Sequence, residues 1–264
     1  MAHNDFGGLH DDLRLTDASL RRRALLRLAL GAGAMHLLGC SKDPAGLDDE
    51  GTPGNGSCST IPSETAGPYP GDGSNGPNVL GQSGVVRSDI RSSFAGLSGT
   101  AVGIPLVVTL TLVSQSNGCA PLPGRAIYLW HCDRAGLYSL YSAGATSQNY
   151  LRGVQPTNAQ GAATFTTIFP GCYAGRWPHM HFEVYQSLAT ATSAGNKIAT
   201  SQLAIPKAAC DAVYATTGYA SSLTNLSQVS LASDNVFADG ASLQLATMGG
   251  NVVNGFTAAL QVSI

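Results

Sequence analysis

Alternation with a period of two is the feature that most constrains this chain. In GIPLVVTLTLVS (103–114), Leu106, Val108, Leu110 and Leu112 fall on one side and Val107, Thr109 and Thr111 on the other. Successive strand side chains point to opposite faces, so the stretch reads as a half-buried strand. GRAIYLWHCD (124–133), GAATFTTIFPG (161–171), PHMHFEVYQ (178–186) and KIATSQLAI (197–205) carry similar patterns, and SLQLATM and GFTAALQVSI close the chain as further strands. KAACDAVYATT (207–217) reads as one short helix. Gly and Pro turns separate these pieces, and only 11% of residues are charged, which excludes a long-helix or coiled-coil protein. The expected architecture is all-β: a single-domain β-sandwich over 59–264 with long loops and one short helix.

The N-terminus has a different character. Arg21, Arg22 and Arg23 precede an apolar run over 28–38 that ends in Leu37-Leu38-Gly39-Cys40. That run is shorter than the roughly 20 residues needed to span a bilayer, and it suits the core of an export signal. The arginines resemble a twin-arginine signal, and Leu-Leu-Gly-Cys resembles a lipobox in which Cys40 is lipidated. Residues 1–40 are therefore read as an export signal and 41–58, rich in Gly, Pro and acidic residues, as a flexible linker. The expected location is exported, periplasmic or at the cell surface, with membrane anchoring through Cys40. The net charge of −2 lacks the basic surface that nucleic acid requires, so no nucleic-acid partner is expected. Export permits disulfides among Cys58, Cys119, Cys132, Cys172 and Cys210, and the odd count leaves at least one thiol unpaired. No Cys-x-x-Cys pair supports a zinc ribbon.

The chemistry collects in two stretches. In PGCYAGRWPHMHFEV (170–184), strand alternation puts His179, His181 and Glu183 on one face and Met180, Phe182 and Val184 on the other. Tyr173 and Arg176 lie just upstream. The second stretch, WHCDRAGLYSLYS (130–142), leaves a strand and presents Tyr138 and Tyr141 in a loop. Imidazole suits several transition metals. A phenol with a pKa of about 10 ionises at neutral pH only beside a strong positive charge. Two imidazoles with tyrosines therefore point to a high-charge ion such as Fe(III) rather than zinc.

These residues resemble an intradiol ring-cleavage dioxygenase of the catechol and protocatechuate type, in its compact exported branch. The motifs that carry the likeness are TAGPYP (65–70), RSDIR (87–91), PLPGRAIYLWHCDRAGLYSLYS (121–142) and LRGVQPTNAQGAATFTTIFPGCYAGRWPHMHF (151–182), in the family's order and spacing. The resemblance implies a β-sandwich and a non-haem Fe(III) held by Tyr138, Tyr173, His179 and His181. It gives Arg176 and Tyr173 catalytic roles, Arg176 facing the substrate and Tyr173 taking a substrate proton. The implied reaction joins a catecholic small molecule to O2, cleaving the ring between its two hydroxylated carbons to a cis,cis-muconate-type product. Tyr69 and Gln155 are candidates for the substrate pocket. His131 is expected to be structural, Glu183 to lie outside the metal's ligands, and Tyr141 is the alternative to Tyr138. The chain departs from the family at Asn158 and at Pro70, neither of them a ligand. Two other functions compete: a non-catalytic exported binding lipoprotein, and a periplasmic copper or zinc protein using His179 and His181.

Overall fold

The computed structural model describes residues 58–264; the export signal, the lipidation of Cys40 and nearly all of the linker lie outside them. Nine strands run β1 (Pro105–Ser114), β2 (Ala120–Pro121), β3 (Ala126–Trp130), β4 (Arg152–Pro156), β5 (Ala162–Ile168), β6 (His179–Tyr185), β7 (Lys197–Ala204), β8 (Thr247–Asn251) and β9 (Gly255–Ser263). They form two sheets. In the first, β1 lies between β5, antiparallel to it, and β9, parallel to it; β8 flanks β9, and β2 pairs with the end of β1. The second has the order β4-β3-β6-β7, antiparallel throughout. This is the β-sandwich expected from the alternation.

The core lies between the sheets and is filled as the period of two predicts. Leu106, Val108, Leu110 and Leu112 of β1 pack with Ile127 and Leu129 of β3 and Met180, Phe182 and Val184 of β6, all essentially inaccessible. Each such side chain contributes about 2 kcal/mol by leaving water. All seven residues of β6 are nevertheless buried. Its other face is covered by loops, and that covered face carries His179 and His181.

Three details differ from expectation. The helix begun at Lys207 ends at Tyr214 (α1), and a second, Ala220–Leu226 (α2), follows it. The strand read at 242–248 begins only at Thr247. β4 had no counterpart in the alternation pattern. Cys58 and Cys119 form a disulfide, while Cys132, Cys172 and Cys210 are buried free thiols. No helix among the described residues is long and apolar enough to cross a membrane.

Candidate metal centre

Two loops must approach closely to bring Tyr138 and Tyr173 over β6, and their sequences explain how. In the first, Asp133 Oδ1 accepts from the Ala135 and Leu137 amides at 2.8 and 3.0 Å, a turn device typical of Asp. Gly136 follows at φ 83°, where a Cβ would come within 3.0 Å of Tyr173 Cβ. Gly171 in the second loop lies so near the first that a Cβ would sit 2.7 Å from the Arg134 carbonyl. Only glycine permits that contact. Helix α2 then grips the second loop beside Tyr173: Ser222 Oγ accepts from the Cys172 amide at 2.9 Å, and Asn225 Nδ2 donates to the Cys172 carbonyl at 2.8 Å.

The donor atoms converge. Tyr173 Oη lies 3.3 Å from His179 Nε2, which lies 3.1 Å from His181 Nε2. The Tyr138 ring stands edge-on to both Tyr173 and His181, at centroid distances of 5.9 and 6.2 Å. His179 Nδ1 bonds the Trp177 carbonyl. A carbonyl only accepts, so Nδ1 carries the proton and the neutral ring presents a bare lone pair at Nε2. Trp130 stacks on His181 at 5.1 Å and 7°, fixing the plane of that ring.

Electrostatics keeps both rings unprotonated. Burial, then the Arg176 charge, holds His179 well below the ordinary histidine range; burial, His179 and Arg176 do the same for His181. Neutral imidazole is the metal-binding form. Among the described residues no group of three or more His, Cys, Asp and Glu could hold a metal. Any ion here would be held by two imidazoles and two phenols, a donor set that fits Fe(III).

The other candidate residues divide. Tyr69 packs on Tyr138 at 5.1 Å, beside the centre. Arg176 is wholly buried; its Nε donates to Asp234 at 2.9 Å and its Nη2 to Gln202 at 2.6 Å. Gln155 requires correction. It pairs with Ile127, whereas Arg152 pairs with Trp130, so alternation places Gln155 on the face of β4 opposite the histidines. Arg152 and Val154 occupy the site's face. His131 is structural: Nδ1 bonds the Cys132 carbonyl and Nε2 accepts from Thr167, each at 2.7 Å. Glu183 shares the histidine face, but Lys197 and Tyr185 engage its oxygens at 2.7 and 2.6 Å. Sequence reading missed Arg152, Gln202 and Asp234, which reach the centre only through tertiary pairing.

Residues 77–201 match the Dioxygenase_C family model, described as Dioxygenase, and this segment contains all four proposed ligands and Arg176. No curated protein matches the chain. An intradiol ring-cleavage dioxygenase from Tetranychus urticae has a similar structure, with a TM-score of 0.62 and 24% identity over 78% of this chain and 95% of that one. A dioxygenase structure named Tetur07g02040 aligns with a TM-score of 0.61 and 24% identity over 79% and 95% of the respective chains. The family model thus matches the segment that carries most of the motifs, and the chain shares the fold of these two dioxygenases.

Proposed function

We propose, from the Dioxygenase family match over residues 77–201 and the intradiol-like motifs it contains, that this protein is a non-haem Fe(III) dioxygenase. It would cleave catechol-type diols between the two hydroxylated carbons and place both atoms of O2 in a cis,cis-muconate-type product. One observation carries the reading: Tyr173 Oη, His179 Nε2 and His181 Nε2 follow one another at 3.3 and 3.1 Å, with Tyr138 beside them. Tyr138, Tyr173, His179 and His181 would hold the iron, which supplies Lewis-acid activation of a bound catecholate toward O2.

The chain's own groups do the rest. Tyr173 Oη is assigned a substrate hydroxyl proton, as a general base already inside the site. Arg176 keeps its charge at every working pH and is fixed before substrate arrives. It would stabilise negative charge developing on the ring, with no reorganisation during the reaction. Tyr69, against Tyr138, would line the approach. Export, with anchoring through Cys40, belongs to the same proposal and would bring the enzyme to external aromatics.

The test is a visible spectrum of the purified protein loaded with Fe(III), then with catechol under argon, then with O2. A broad tyrosinate band, its shift to longer wavelength on addition of catechol, and a muconate-type product are expected. A protein that stays colourless with iron would sink the reading and leave the binding lipoprotein in front. Preferential retention of copper or zinc would favour the third alternative.

A further inference from the structure

Arg176 is the fixed charge of the proposed site, and its aim comes from a residue outside the segment that matches the dioxygenase family. Asp234 is wholly buried on the loop after α2. Its Oδ2 accepts from Arg176 Nε at 2.9 Å and from the Trp177 amide at 2.7 Å. Its Oδ1 accepts from the Val236 and Phe237 amides at 2.8 and 3.1 Å. One carboxylate thus ties the 234–237 loop to the backbone and guanidinium that precede His179. On the other side, Gln202 Oε1 takes Arg176 Nη2 at 2.6 Å while Gln202 Nε2 donates to the Thr65 carbonyl at 2.9 Å.

A buried ion pair is a poor way to stabilise a fold, because desolvating two charges offsets most of their attraction. What the pair does supply is direction: a planar guanidinium held at Nε and Nη2 cannot rotate.

We propose that Asp234 is a positioning residue that aims Arg176 at the substrate. This rests on the dioxygenase reading. The test uses the full chain loaded with Fe(III) and compares wild type, Asp234→Asn, Arg176→Met and the double variant. The amide of Asn still accepts from Val236 and Phe237 but turns a donor toward Arg176 and Trp177. Turnover per bound iron should fall about tenfold or more in Asp234→Asn, and the Kd for 4-nitrocatechol under argon should rise about threefold or more, with iron per chain unchanged. Because Asp234 acts through Arg176, adding Asp234→Asn to Arg176→Met should change turnover by less than about twofold.

Unchanged turnover and unchanged 4-nitrocatechol binding in Asp234→Asn would overturn the proposal. So would iron loss with normal turnover per iron, which marks a merely structural role. Should Asp234→Asn fail to fold, the double variant against Arg176→Met still decides: equal rates support the proposal, and a further large loss refutes it. A wild type that takes up iron but cleaves no catechol overturns the dioxygenase reading and this proposal together. An active wild type with an equally active Asp234→Asn overturns this one alone.

Discussion

Arg152 grips Ser139 twice: Nε donates to Ser139 Oγ at 2.9 Å and Nη2 to the Ser139 carbonyl at 3.0 Å. The same guanidinium donates to the carbonyls of Tyr69 and Pro70, at 2.9 and 2.8 Å. One buried fork therefore joins the loop that carries Tyr138 to the segment that lays Tyr69 on it. Arg152→Lys replaces a five-donor plane with a single ammonium. We expect a loss of about 3 kcal/mol in urea unfolding, since several buried carbonyls lose their donor, together with faster proteolysis within 58–72. A lysine variant of wild-type stability would show that the fork is dispensable.

Glu183 has no exposed surface, and Lys197 is its cation. Burial pushes the Glu183 carboxyl up to about 7 against the pull of Lys197. Lys197→Met leaves that acid to fold protonated. A group whose folded pKa is raised costs stability as pH rises above its unfolded value, so the loss grows from pH 5 to pH 8. We expect about 3 kcal/mol at pH 8, with most of it restored by adding Glu183→Gln. Thermal unfolding of the single and double variants at both pH values is the check, and a loss independent of pH would contradict it.

His131 gives the opposite sign. Burial lowers its pKa to about 4. The unfolded chain binds the proton near 6.5, so the stability present above 6.5 is lost as pH falls toward 4. The span amounts to about 3 kcal/mol. His131→Gln should be less stable than wild type at pH 7, where it lacks the bonds to Thr167 and Cys132. Its decline between pH 6.5 and 4 should be shallower by one proton. Parallel declines of the two proteins in urea unfolding would rule this out.

The Cys58–Cys119 bridge spans a sequence separation of 61. In the chain-entropy view, closing that loop in the unfolded state is worth about 4 kcal/mol. Cys58→Ser with Cys119→Ser should lower Tm and raise hydrogen exchange at the amides of Ile61 and Glu64, which bond Ser263 and Thr200. Exchange confined to other segments would separate the bridge from this strap.

The histidine pair was legible because alternation is a local property: His179 and His181 share a face wherever a strand forms. The tyrosines were legible only through the family's motifs, since nothing local brings Tyr138 to Tyr173. Gln155 was misplaced because RGVQP, with Gly, Gln and Pro, carries no alternation to announce β4 and so hides its register. Helix α2, ASSLTNL, likewise has weak helix propensity and is held by its bonds to Cys172. Asp234 and Gln202 could not be read from sequence spacing, because their partner Arg176 lies 58 and 26 residues away.

The placing of β9 bears on the order in which the molecule can be made. Among the described strands β9 comes last in the chain, yet it pairs in parallel along β1, the first of them, and sits inside the first sheet between β1 and β8. Until it arrives, β1 is paired only on its β5 side, and the sheet that faces β6 is incomplete. Every proposed ligand, and Arg176, precedes β9 in the chain, while the facing sheet is still unfinished. Such non-local pairing forms late. The sheet facing the centre is therefore completed only once β9 has paired with β1.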